Sequence, residues 1–126
     1  MNPDAKVVDL RLRTKQFALR IIRMFVSLPK TEVARVLGRQ VLRSGTSVGA
    51  NYREGYRARS KAEFISKLGD CLKELEETSY WLELLIESGT LAEPKLSALL
   101  QETHELTAIF TTISKRAKSN DASPAS

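Results

Sequence analysis

The stretch SKAEFISKLGDCLKELEETSYWLELLIESG, Ser60 to Gly89, decides the fold. Phe64, Leu68, Cys71, Leu75, Thr78, Leu82 and Leu85 recur at alternating steps of four and three residues, which places them along one side of a helix. A seam with a mean step of about 3.5 residues packs against other helices as a coiled coil does. Ile65, Leu72 and Ile86 widen the stripe. Ser60 followed by Glu63 is a capping box, in which the two residues satisfy backbone N–H groups that a first turn leaves free. Gly89 suits the left-handed position that closes a helix.

Three further segments share this periodicity. The first spans about Val8 to Leu28, with Leu10, Phe17, Ile21, Met24 and Leu28 on one stripe. Pro29 ends it, because the residue before a proline is driven out of the helical region. Thr31 caps the second segment, which carries Glu32 at its positive end and continues to about Ala58. The fourth begins near Pro94, a residue tolerated in a first turn, and buries Leu96, Leu99, Thr103, Leu106, Phe110 and Ile113. Lys115, Arg116 and Lys118 suit its negative end. Four such helices joined by short turns predict an all-α protein, an antiparallel up-down-up-down four-helix bundle. One domain is expected over residues 1–118, with SNDASPAS, 119–126, as a disordered polar tail.

Composition agrees with one helical core. The chain has 126 residues, 42% of them hydrophobic and only 6% aromatic, a poor balance for a β-sandwich. Its single cysteine excludes an internal disulfide and any multi-cysteine zinc or iron–sulfur site. No apolar run is long enough to span a membrane, and MNPDAKVVDLRLR has no apolar signal region before its charges begin. A cytoplasmic protein without membrane association is expected. The net charge of +5 is unevenly spread. Residues 1–61 hold 14 Lys/Arg against 4 Asp/Glu, whereas residues 62–126 hold 6 against 11. Basic and acidic helices packed side by side would explain this, as would head-to-tail self-association or a basic surface for nucleic acid.

The second helix carries the motif RSGTSVGANYREG, Arg43 to Gly55. At about 100° per residue, Arg35, Arg39, Arg43, Arg53 and Arg57 share one arc. Five such cations repel one another unless the acidic third helix, a neighbouring subunit or a phosphate backbone lies alongside; a solvated face is the plain alternative. A second stripe, Gln40, Ser44, Ser47, Asn51 and Glu54, is expected to point toward the bundle core or an interface. A third face holds Gly38, Gly45 and Gly49, whose cost of about 1 kcal/mol each in helix propensity is offset by a close helix approach. Three working faces on one helix suggest an oligomer.

Catalytic chemistry finds little support. A phosphate-binding loop needs a preceding strand and a lysine after its last glycine, and neither is present. The only histidine, His104, lies on the fourth helix, far in sequence from the hydroxyl-rich motif. A di-iron bundle requires two Glu-x-x-His pairs, and one histidine cannot supply them. Cys71 sits on the core seam, where a small packed hydrophobe is the simpler reading. No enzyme activity, cofactor or metal is expected.

The run Arg43, Ser44, Ser47, Asn51, Glu54, Gly55 closely resembles the signature of the bacterial four-helix bundle proteins, also called the 23S ribosomal RNA intervening-sequence proteins. Phe64, Ile65, Glu74 and Leu75, with Tyr80 and Trp81, are similar to the family's second motif. The resemblance covers roughly residues 15–115. It implies a ring-shaped homo-oligomer, a pentamer, of antiparallel bundles. A related branch, the accessory variability determinant of diversity-generating retroelements, implies binding to nucleic acid and a protein partner.

Two functional expectations follow. One is a non-catalytic nucleic-acid-binding or ribonucleoprotein accessory module, with Arg20, Arg23, Arg35, Arg39, Arg43, Arg53, Arg57, Arg59 and Lys61 as phosphate contacts for RNA or DNA. With few aromatics free to stack on bases, binding would rest on backbone charge. The other is a structural scaffold whose charges serve ring assembly or a protein partner, with no nucleic-acid ligand. In either case Asn51, Glu54 and Glu74 are expected to form a buried polar network within a structural motif that includes Ser44, Ser47 and Gly55.

Overall fold

A computed structural model of the protein describes residues 9–121. Four helices follow in chain order: α1 (Leu10–Ser27), α2 (Glu32–Tyr56), α3 (Lys61–Glu87) and α4 (Glu93–Asp121). No strand occurs among the described residues. Turns over 28–31, 57–60 and 88–92 are too short for anything but antiparallel neighbours. The chain is therefore an all-α four-helix bundle.

The helix ends follow local chemistry. Thr31 Oγ1 accepts from the Ala34 N–H at 3.1 Å, and Ser60 Oγ from the Glu63 N–H at 3.1 Å. The Glu63 carboxylate reaches back to the Arg59 N–H at 3.3 Å, one residue outside the usual capping box. Gly89 has φ +75° and donates to the Ile86 carbonyl, while Thr90 donates to that of Leu85. That crossed pair is the Schellman closure, which a left-handed glycine makes inexpensive. Asp9 caps α1, accepting from the Arg11 and Leu12 N–H groups. α4 continues to Asp121, past the boundary expected after Lys118. Val8 and residues 122–126 lie outside the described residues.

Phe17, Ile21, Val41, Val48, Leu68, Leu75, Leu82, Leu85, Leu96, Leu106 and Phe110 are fully buried together. Leu28, Phe64 and Ile113 are only half-buried, and Ser114 and Ala117 take the inward position near the end of α4. A straight helix at 3.6 residues per turn drifts off a strict heptad, which moves the stripe by one residue there. Hydroxyls inside the core are satisfied by their own helices. Thr14, Thr78 and Thr103 each donate to the carbonyl four residues back.

The tightest seam joins α1 and α2. A Cβ at Gly38 would meet Leu28 Cδ1 at 2.5 Å, one at Gly45 would meet Ile21 Cγ1 at 2.7 Å, and one at Gly49 would meet Thr14 Oγ1 at 3.0 Å. α2 and α3 pack along most of their length, whereas α1 and α4 meet at few points.

Gly45→Ala should therefore lower the melting temperature by several degrees, because overpacking against buried Ile21 costs about 1–3 kcal/mol and exceeds the roughly 1 kcal/mol gained in helix propensity. Gly69→Ala, exposed and with nothing within 4 Å of an added Cβ, should raise it. Thermal melts of the two variants followed by circular dichroism check this; the opposite order would refute the close approach at Gly45.

Candidate functional site

Because Gly38, Gly45 and Gly49 face α1, the rotation of α2 is set, and with it the direction of every polar residue in the motif. The stripe from Gln40 to Glu54 does not point into the core. It runs along the edge of α2 that meets α3, and only Ser44 is fully buried. Ser44 Oγ lies 2.8 Å from Thr78 Oγ1, a buried hydroxyl pair that joins the two helices. Ser47 Oγ donates to the Arg43 carbonyl, and Asn51 Nδ2 to the Ser47 carbonyl. Glu54 is exposed and pairs with Lys67 Nζ at 2.7 Å. Glu74 Oε1 lies 3.5 Å from Arg43 Nη1. The expected three-way network of Asn51, Glu54 and Glu74 is therefore absent within the chain: each has a different partner, because the edge of α2 meets α3 residue by residue. Gly55 is buried against α3, where an added Cβ would meet Lys67 Cβ at 3.0 Å.

The arginine arc crosses the outer face of α2 from the α3 groove to the α1 groove, and its members have different surroundings. Arg43 is neutralised by Glu77 at 2.6 Å and by Glu74, and its pKa is raised first by the hydrogen bond to Glu77. Arg35 pairs with Glu32 one turn back on its own helix. Among the described residues Arg20, Arg23, Arg39, Arg53, Arg57, Arg59 and Lys61 make no ion pair with a carboxylate. Arg20 is half-buried and the other six are exposed.

The antiparallel hairpin brings the start of α1 beside the end of α2, and there the cations converge. Asp9, Arg11, Leu12, Lys15, Arg53, Tyr56 and Arg57 line a hollow of about 240 Å³. A second hollow, lined by Tyr52, Gly55, Tyr56, Ala58, Arg59, Ser60, Lys61 and Phe64, adjoins it across Tyr56. The Arg11 guanidinium carbon sits 4.4 Å from the centroid of the Tyr56 ring, a cation–π contact. Tyr52 anchors this end by meeting Phe110 edge-on at 5.6 Å, and burial pushes its phenol pKa up. Arg11, Lys15 and Tyr56 were not among the sequence candidates. Their signal is a first turn with no acidic residue and two arginines, against the preference of a helix dipole. Tyr56, 57% exposed, is one of the few aromatics free at the surface, with Tyr80 on α3.

Arg13 is set apart from this cluster. Its guanidinium grips Glu102 through two 2.8 Å hydrogen bonds and Glu105 through one at 3.0 Å, bridging α1 to α4. The hydrogen bond to Glu102 raises its pKa, and Gln101 and then Arg13 lower that of Glu105.

A family model, described as 23S rRNA-intervening sequence protein, matches residues 8–112. The chain belongs to that family. A crystal structure from Bacteroides thetaiotaomicron, described as a protein with unknown function from the S23 ribosomal protein family, is similar at 38% identity and a TM-score of 0.79. The likeness covers 84% of this chain and 98% of that one. Comparison with curated proteins returned no match.

Within this family member the candidate catalytic groups are sparsely supported. His104 Nε2 lies 3.3 Å from Ser79 Oγ, a proximity that the sequence did not reveal. Both are mid-helix, where backbone N–H groups are consumed by the helix and form no oxyanion hole. No carboxylate orients the ring among the described hydrogen bonds. No helix is long and apolar enough to cross a membrane, and no three potential ligands gather for a metal, both among the described residues.

Cys71 is buried, its thiol 3.5 Å from the Val48 carbonyl, and burial pushes its pKa up to about 12. At pH 8 a thiol reagent should label it only after denaturant is added; rapid labelling of the native protein would contradict the packing. The raised folded pKa means that this contribution to stability is complete below the unfolded thiol value and is lost as pH climbs from about 9 through about 12.

Proposed function

We propose that this protein is a non-catalytic, oligomeric accessory module of the cytoplasm that binds nucleic acid through a basic surface. The observation that carries the reading is the gathering of Arg11, Lys15, Arg53, Arg57, Arg59 and Lys61 at one end of the α1–α2 hairpin, with Asp9 the one acidic residue lining either hollow. That carboxylate already caps α1. Among the described residues only Arg11 of these six meets a carboxylate, Asp9 at 4.0 Å, and such a concentration of cations raises local anion density and favours a phosphate backbone. Contacts of this kind position a strand without reading its sequence.

Self-association is part of the proposal, as the homopentameric ring that the family resemblance implies. Leu12, Leu19, Ile22 and Val26 are exposed along α1 at steps of seven, three and four residues, the spacing of a coiled-coil seam. Val33 and Val36 are also exposed, just beyond the α1–α2 turn. Exposed Glu76, Glu83 and Glu87 on α3 complement the cations of α1 and α2. A cyclic assembly joins two different patches, and this pairing of basic with acidic surface suits one.

Fluorescence anisotropy with a mixed-sequence labelled duplex tests the reading. The logarithm of the binding constant should fall linearly with the logarithm of salt, by about 0.9 per phosphate contact. Replacing both Arg53 and Arg57 with Gln should flatten that slope by about two. A salt-independent constant would refute it, as would failure of the intact oligomer to bind either this duplex or a single strand. Light scattering that shows salt dissociating the assembly while polyanions stay unbound would favour a scaffold whose charges serve assembly alone.

A further inference from the structure

We infer that the two hollows flanking Tyr56 hold one single-stranded stretch of RNA or DNA, with a base stacked on the Tyr56 ring and the neighbouring phosphates on Arg53, Arg57 and Arg59. The inference rests on the nucleic-acid reading above and specifies the form of its ligand. Three observations carry it.

The first is position. Tyr56 is the one residue that lines both the hollow of Arg11, Lys15, Arg53 and Arg57 and the hollow of Arg59 and Lys61. A strand crossing it meets cations before and after the ring. The second is exposure: more than half of the Tyr56 surface is open, while Arg11 holds the ring by its cation–π contact and Tyr52 lies against it at 6.2 Å between centroids. A held but open ring offers a stacking platform at little entropic cost. The third is the lining. Small-molecule pockets are mostly apolar and of about 300–1,000 Å³, whereas the first hollow is charged and holds about 240 Å³. The second hollow, of about 510 Å³, sets Tyr52, Tyr56 and Phe64 beside Arg59 and Lys61, so the pair offers charge on one side of Tyr56 and charge with aromatic surface on the other.

Form follows from these features. A duplex keeps the faces of its bases in its own stack and presents only phosphates to Tyr56. A single strand presents both elements that the site supplies, phosphate for the cations and a π-face for the tyrosine. Stacking is tolerant of sequence, since every base has such a face. Arg11 lies over one face of the ring, which leaves the other face for a base, and its guanidinium can itself stack as well as pair.

The experiment compares a labelled oligothymidylate of about 12 nucleotides with a duplex of the same length, by anisotropy on the intact oligomer. The wild-type protein should prefer the single strand at equal salt. Tyr56→Ala should weaken single-strand binding about tenfold, with the salt slope and duplex binding unchanged, because the lost contact is uncharged. Tyr56→Phe should retain most of the affinity. Circular dichroism of both variants, substituted at an exposed position, confirms that the bundle is intact. Single-strand affinity of Tyr56→Ala within about twofold of wild type, with salt-dependent binding still present, overturns this inference and leaves the nucleic-acid reading standing. Failure of the wild-type protein to bind either probe overturns both.

Discussion

The bundle depends on how closely α1 and α2 approach. Gly38, Gly45 and Gly49 leave no room for a side chain between the helices, so Phe25, Ile21 and Thr14 press against the backbone of α2. This contact fixes the rotation of α2 about its axis. Once that is set, Ser44 turns toward Thr78 on α3, Arg43 toward Glu74 and Glu77, and Arg53 and Arg57 toward the start of α1. The polar chemistry of the longest motif in the chain is thus a consequence of where three hydrogen atoms stand in place of side chains.

What the sequence made legible is what a single helix determines by itself. The α3 seam, the caps at Thr31, Ser60 and Gly89, and the small-residue face of α2 all follow from spacing and backbone chemistry within one segment. Relations between segments were harder to read. Of the two directions open to Asn51 and Glu54, bundle core or interface, the chain's own core is not the one they take. Periodicity could not choose, because it gives angles around a helix but not the direction of its neighbours. Arg13 and Glu102 are 89 residues apart, and nothing local in either marks the other. Nothing local marks Tyr56, and only the hairpin places Arg11 over its ring.

The charge asymmetry resolves into two populations. Arg13, Arg43 and Lys67 are spent inside the chain, on the acidic residues of α3 and α4 or on Glu54 across the α2–α3 edge. Arg53, Arg57, Arg59 and Lys61 meet no carboxylate among the described residues, and they collect at one end. Counting charges along the chain cannot separate these groups, since Arg43 and Arg53 look alike in sequence. The difference lies in which groove each enters.

The sparse contact between α1 and α4 has a bearing on the basic end. α1 is the shortest helix, with 18 residues, and on its α4 side the Arg13 clasp on Glu102 and Glu105 supplies the directional contact. Elements with few packed neighbours are the ones that open at lowest free energy. α1 also carries Arg11 and Lys15, so half of the hollow's cations ride on a helix held closely by α2 on one side and at few points by α4 on the other. Any anion bridging α1 and α2 therefore acts as a fastener, and occupancy of the hollow and cohesion of the bundle become two sides of one equilibrium.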